Sequence, residues 1–175
     1  MILKAFKIVF ISGFLLLIGL PSYLQKKVDK EIKETFVTEN FEFIERKFNS
    51  QEIEKLPSEF NTSNFFEIKQ DNKLLGYAYV SKAPSKTDQF DYLVLFSPEL
   101  LIKKVKVLIY REDYGGEIGS KRWLNQFTGK SYQDSFIVGQ SVDAISGATF
   151  SVNSMTLAID NLMKSLQKLH SRQLI

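Results

Sequence analysis

Apolar residues recur at intervals of three and four positions along the last part of the chain. This spacing places them on a single face of an α-helix. We therefore predict a long amphipathic C-terminal helix whose apolar face lies across a sheet. Its apolar positions are Val152, Met155, Ile159, Leu162, Met163, Leu166 and Leu169.

Four earlier segments have the alternating or branched apolar composition that is typical of β-strands. Residues 65–69 and 74–80 flank the turn pair Asp71-Asn72, which predicts a hairpin. Residues 92–96 and 101–110 supply two further strands. We expect these four segments to form one antiparallel sheet packed against the C-terminal helix, which gives an α+β domain.

The N-terminus begins with a basic tip and continues into an apolar run. Lys4 and Lys7 precede the apolar residues 8–20, and no Ala-x-Ala-like cleavage site follows. A basic tip followed by an apolar core is typical of a signal sequence or an anchor. We predict an uncleaved signal-anchor or transmembrane helix over residues 1–25, so that a single N-terminal segment holds the protein in the lipid bilayer.

The connection between this anchor and the sheet is predicted to be a linker. Val28, Ile32 and Phe36 recur at spacings of four and predict a helix with one apolar stripe. Residues 41–48 have a strand-like alternation, and Leu56-Pro57 then interrupts regular structure. We therefore divide the chain into the anchor, a linker helix with an irregular segment over residues 26–64, and a functional domain over residues 65–175.

The lysines on either side of the anchor and the order of the N-terminal segment give opposite predictions for the orientation of the domain. Four of them, Lys26, Lys27, Lys30 and Lys33, follow the apolar run and outnumber the two in front of it. A count of positive charges would place the domain in the cytoplasm. Signal-like architecture favours export instead. We expect the domain on the extracytoplasmic side of the cell membrane.

Composition excludes several kinds of chemistry. The chain of 175 residues has no cysteine, which removes disulfides, iron–sulfur ligation and thiolate nucleophiles. The single histidine, His170, lies close to the C-terminus, so histidine-centred metal sites and Ser-His-Asp catalysis are not expected. The net charge of +3 is spread among alternating lysines and acids, and nucleic acid is therefore not an expected partner.

A cluster of small and hydroxyl residues directly precedes the predicted C-terminal helix. It runs from Asp143 to Ser151 with the sequence DAISGATFS. Unpaired N–H groups and the helix dipole favour an anion at such a position, and Gly147 and Ala148 leave no bulk to exclude a phosphate. The alternative is that Ser146 or Thr149 simply caps the helix. Upstream, Gly115, Gly116 and Gly119 form a glycine-rich loop that predicts a close approach to another group. Ser120 follows this loop as the predicted N-cap of a helix through Trp123, Leu124 and Phe127.

The segment Ser146-Gly147-Ala148-Thr149, with Asp143 before it and Ser151 after it, resembles the flavinylation motif of the FMN-binding domain family. That family includes the C subunit of the sodium-translocating quinone reductase and the G subunit of the Rnf complex. Further similarity lies at Gly76-Tyr77, in the loop with Glu112, Gly116 and Gly119, and in the segment 123–130. The resemblance implies that a flavin transferase uses FAD and magnesium to link FMN, through a phosphoester, to the hydroxyl of Thr149.

The resemblance further implies a membrane redox partner, and it favours an electron-transfer flavoprotein over a self-contained enzyme. Trp123, Tyr77 and Tyr114 are candidates for packing against the flavin ring. Two alternatives remain: a flavin-dependent reductase of a small extracytoplasmic acceptor, with Glu112 or Asp143 as acid, and a flavin-free adaptor. The implied cofactor contacts, besides Thr149, are Ser146, Gly147, Ala148, Asp143, Ser151, Glu112, Gly116 and Gly119.

Overall fold

The computed structural model describes residues 19–61 and 63–175. Most of the predicted anchor over residues 1–25 lies outside these ranges. Among the residues that are described, none of the helices has the length and apolar character needed to cross a membrane.

The centre of the fold is a five-stranded antiparallel meander in which each strand pairs with the next one along the chain. The predicted hairpin is confirmed, and Asp71 and Asn72 both have positive φ, as a type I′ hairpin turn requires. The strands are β1 (Glu42–Glu45), β2 (Phe65–Gln70), β3 (Lys73–Pro84), β4 (Gln89–Phe96) and β5 (Ile102–Ile109).

The sheet has one strand more than the four predicted segments. The additional strand is β1, which lies within the strand-like residues 41–48 and pairs with β2 at the sheet edge. The ring of Phe43 stacks on that of Phe66, with 4.1 Å between the ring centroids. This aromatic contact across the two strands stabilises the edge pairing.

Helices cover both faces of the sheet. The predicted C-terminal helix is confirmed as α4 (Thr149–Ser171), and its apolar stripe is buried in the larger core cluster. The other helices within the described residues are α1 (Ser22–Phe36), α2 (Ser50–Ile53) and α3 (Lys121–Leu124), with single 3-10 turns at Gly116–Gly119 and Asn125–Phe127.

The opposite face of the sheet is covered by α1. Leu24, Val28 and Ile32 are buried against the sheet in a second core cluster. At Gly76 a Cβ atom would collide with the backbone oxygen of Phe96 and approach the ring of Phe36, so only glycine lets the layers come this close. The residues predicted as a linker over 26–64 therefore supply a helix and a strand to the packed unit.

Candidate functional site

The start of α4 has no side-chain cap. The residue at the N-cap position is Ala148, and no side chain there accepts a hydrogen bond from the first helical N–H groups. Thr149 is the first helical residue, so its hydroxyl lies past the position from which a cap acts. The alternative in which Ser146 or Thr149 caps this helix is therefore wrong.

Thr149 is exposed beside an open cleft. The cleft has a volume of about 310 Å³, and Gly147, Thr149, Phe150 and Tyr114 lie along it. Gly147 has φ of +82°, and no atom outside its chain neighbours lies within 4 Å of the position that a Cβ would occupy. The motif thus combines an accessible hydroxyl with unobstructed space and with backbone N–H groups that no side chain satisfies.

Tyr110 joins three parts of the site. Its hydroxyl donates a hydrogen bond of 3.0 Å to the carbonyl oxygen of Tyr114 and lies 3.0 Å from the hydroxyl oxygen of Ser151. Because the single phenolic proton is used on Tyr114, the Ser151 hydroxyl is the donor to Tyr110. Ser151 is buried, so it supports the base of the cleft through this contact. No local sequence pattern marks Tyr110 as a site residue.

The glycine-rich loop packs against the motif through Gly115. A Cβ on Gly115 would lie 2.9 Å from the Tyr110 hydroxyl oxygen and 3.5 Å from the Cα of Ala148, and its φ is +81°. At Gly116 and Gly119, the predicted contacts, the nearest atoms are 3.8 Å away and φ is not positive. The close approach predicted for this loop is therefore made by Gly115. In the sequence, the Gly115-Gly116 pair indicated this approach.

Trp123 holds the motif from its other side. The indole Nε1 donates a hydrogen bond of 2.7 Å to the carbonyl oxygen of Asp143, and the Asp143 N–H donates one of 2.7 Å to the side-chain oxygen of Gln126. Ser120 caps the short helix that carries Trp123, as predicted. Trp123 and Asp143 also line a second cleft, of about 410 Å³, together with Ala144 and Ile145. A cleft therefore lies on each side of the motif.

Tyr77 does not reach either cleft. Its ring stacks on that of Phe65 with 5.4 Å between centroids, and the residue is only 7% exposed. Burial raises the pKa of its phenol. The structure thus brings together Glu112, Gly147, Ala148, Thr149 and Ser151 at one cleft, and leaves Tyr77 in the core.

Glu112 is engaged by the turn between β3 and β4. One carboxylate oxygen accepts hydrogen bonds from the N–H groups of Thr87 at 2.7 Å and Asp88 at 3.3 Å. The nearby Ser85 hydroxyl and these N–H groups hold the pKa of Glu112 below its usual range. The Ser85 hydroxyl is close to the carboxylate but forms no hydrogen bond with it, whereas the two backbone N–H groups do. The N–H groups are therefore the better-supported cause of the lowered pKa. Glu112 is therefore ionised at neutral pH.

Comparison with known proteins places this site inside a recognised domain. Residues 86–164 match the FMN-binding domain family. This stretch includes every residue that lines either of the two clefts. No curated protein matches the chain. The crystal structure of Shewanella oneidensis NqrC matches with a TM-score of 0.59 and 15% sequence identity, over 85% of this chain and 96% of that one. The family match confirms the resemblance over residues 86–164, and the match to NqrC shows a shared fold, with an antiparallel sheet and a C-terminal helix as expected from the sequence.

Proposed function

We propose that this chain, which contains an FMN-binding domain over residues 86–164, is an electron carrier that holds FMN through a phosphoester to the Thr149 hydroxyl. The observation that carries the proposal is the position of Thr149. It is exposed, it is the first residue of α4, and it lies beside an open cleft. A hydroxyl in such surroundings is accessible to a modifying enzyme.

The residues around Thr149 suit a phosphate ester. No side chain satisfies the first N–H groups of α4, and an anion at a helix N-terminus is stabilised by typically 0.3 to 1 kcal/mol. Gly147 leaves open space next to the ester position. Both features favour a phosphodiester, which retains one negative charge after attachment.

The cleft also suits a partly exposed aromatic ring system. Its volume of about 310 Å³ is at the small end of the range for ligand pockets, roughly 300 to 1,000 Å³. Tyr114 and Phe150, at 85% and 54% exposure, present aromatic side chains beside Thr149. When bound, FMN would supply hydride and single-electron transfer. Tyr114 and Phe150 would orient the ring and leave an edge open to a redox partner.

Attachment would consume FAD. The Thr149 hydroxyl oxygen forms a bond to the phosphorus of the FMN half, the bond from that phosphorus to the AMP half breaks, and AMP leaves with the displaced oxygen. The hydroxyl proton passes to a base of the flavin transferase. A covalent link makes occupancy of the site independent of the surrounding FMN concentration, which suits an exported protein.

Electron carriage is favoured over the alternative of a self-contained reductase. That alternative requires an acid beside the ring, with Glu112 or Asp143 as candidates. Glu112 lines the cleft but is ionised at neutral pH and is bound to two backbone N–H groups. Asp143 lines the second cleft, on the other side of the motif. Neither carboxyl group is suited to donate a proton beside Thr149.

The partners and location that we propose follow from the sequence. The basic tip and apolar run within residues 1–25 support a single membrane anchor, and the signal-like order supports an extracytoplasmic domain. The partners would be a flavin transferase during maturation, the lipid bilayer, and a membrane redox protein during electron transfer. FMN would be the covalent cofactor.

The intact mass of the protein tests the proposal. The full chain is produced together with a flavin transferase, denatured and weighed. We expect one FMN-sized increment that is absent in Thr149→Ala and present in Thr128→Ala, a matched exposed threonine outside the motif. An unmodified mass for the unsubstituted chain, under conditions that load another protein of the family, would contradict the proposal.

A further inference from the structure

The turn between β3 and β4 places Lys86 in the cleft beside Thr149. Lys86 is exposed, and within the described ranges it is the only cationic side chain that lines this cleft. It takes part in none of the ion pairs found among residues 19–61 and 63–175. Its charge is therefore available to an anion bound there.

The end of β5 fixes one side of this turn. Glu112 accepts hydrogen bonds from the N–H groups of residues 87 and 88. The neighbouring Arg111 donates a hydrogen bond of 2.8 Å to the carbonyl oxygen of Gln89 and pairs with the buried carboxylate of Asp91. The backbone on the C-terminal side of Lys86 is thus held by two consecutive charged residues.

Helix α4 fixes the other side of the turn. The Ser154 hydroxyl hydrogen-bonds to the carbonyl oxygen of Pro84. Ser154 follows Thr149 on the same helix, about 1.4 helical turns later. The helix that presents Thr149 is therefore joined directly to the turn that presents Lys86.

We infer that Lys86 is the cationic contact of the phosphate ester on Thr149, and that Glu112 acts by holding the turn that carries Lys86. The inference rests on the proposed function and assigns to Glu112 a positioning role in place of a flavin contact. An ionised carboxylate would repel a phosphodiester, so a direct contact between Glu112 and the ester is unfavourable. The hydrogen bonds from the N–H groups of residues 87 and 88 instead account for the position of Glu112 at this cleft.

Phosphorus NMR of the loaded full chain tests the role of Lys86. The resonance of the diester reports the charge and hydrogen bonding around the phosphate. We expect it to shift in Lys86→Gln, to remain close to the original position in Lys86→Arg, and to be unaffected in Lys82→Gln. Lys82 is an exposed lysine on the same hairpin that does not line the cleft, and is the matched control.

Two substitutions at Glu112 separate positioning from direct chemistry. Glu112→Gln keeps an oxygen that accepts hydrogen bonds from the turn, so the phosphorus resonance is expected to stay near its original position. Glu112→Ala removes the acceptor and is expected to give the shift seen in Lys86→Gln. Adding Lys86→Gln to Glu112→Ala should then produce little further change, because both substitutions disturb the same contact.

The rate of flavin loading gives a second readout. We expect Lys86→Gln to load roughly two- to fivefold more slowly, the size of a single exposed charge interaction, and Lys86→Arg to restore the rate. An unchanged resonance and rate in Lys86→Gln would overturn the inference while leaving FMN on Thr149 intact. A shift in Glu112→Gln as large as that in Glu112→Ala would overturn the positioning role. Absence of any covalent phosphorus would overturn both the inference and the proposed function.

Discussion

The indole N–H of Trp123 donates a 2.7 Å hydrogen bond to the backbone carbonyl of Asp143, six residues before the threonine of the motif. This contact joins the short helix α3 to the loop that leads into α4. The ring of Trp123 also packs edge-on against Phe127, with 5.3 Å between centroids. Trp123 therefore acts on the site mainly by fixing the path of the motif.

Trp123→Phe removes the N–H donor and keeps an aromatic ring against Phe127. We expect the free energy of unfolding to fall by about 1 kcal/mol for the lost hydrogen bond, with an additional loss from the smaller ring. Flavin loading should slow because the loop that positions Thr149 is less ordered. Urea unfolding and a loading time course on the same preparation check both effects. Unchanged stability together with unchanged loading would show that the contact is dispensable.

Gly115→Ala should disturb the base of the cleft. The added methyl group would lie 2.9 Å from the Tyr110 hydroxyl oxygen, at a residue whose φ of +81° is unfavourable for alanine. We expect a loss of roughly 1 to 3 kcal/mol in the free energy of unfolding. Gly116→Ala is the matched control, because its nearest neighbour would be 3.8 Å away. Equal urea midpoints for the two variants would contradict the packing of Gly115 against Ala148.

The hydrogen bonds that Glu112 accepts from the N–H groups of Thr87 and Asp88 should be sensitive to acid. The pKa of Glu112 is lowered in the folded protein by the Ser85 hydroxyl and the turn N–H groups, relative to the usual value of 4.5. A lowered pKa stabilises the fold above the unfolded-state value, and this stabilisation is lost as the pH falls through the folded-state pKa. The stability difference between the unsubstituted chain and Glu112→Gln should therefore be largest near neutral pH and shrink below about pH 4.5. Urea unfolding between pH 7 and pH 3 measures it; a difference that grows toward acid would contradict the assignment.

Local patterns predicted most of the fold because the signals lie within short segments. The period of α4, the Asp71-Asn72 turn and the Ser120 cap each depend on neighbouring residues, and the structure contains all three. The stripe on α1 predicted a helix, but a stripe alone does not identify the surface that it contacts. The middle strands also have apolar residues on the sheet face opposite α4, and α1 packs on that face because these residues need to be buried.

The site was predictable only in part. The motif around Thr149 is contiguous, so its position at the start of α4 could be read from the sequence. Lys86 and Tyr110 reach it from the β3–β4 turn and the end of β5, and no local pattern links such distant positions. Tyr77 shows the converse, since an aromatic residue suited to ring packing was instead used in the core.

The most direct test of the central claim is the mass of the tryptic peptide that contains Thr149. Cleavage after Lys130 and Lys164 releases residues 131–164 as one fragment, because no lysine or arginine lies between them. From protein isolated from the cells that naturally produce it, we predict that this fragment carries one FMN and that fragmentation places it on Thr149. Recovery of the fragment without modification, or with the flavin on a different residue, would contradict the account.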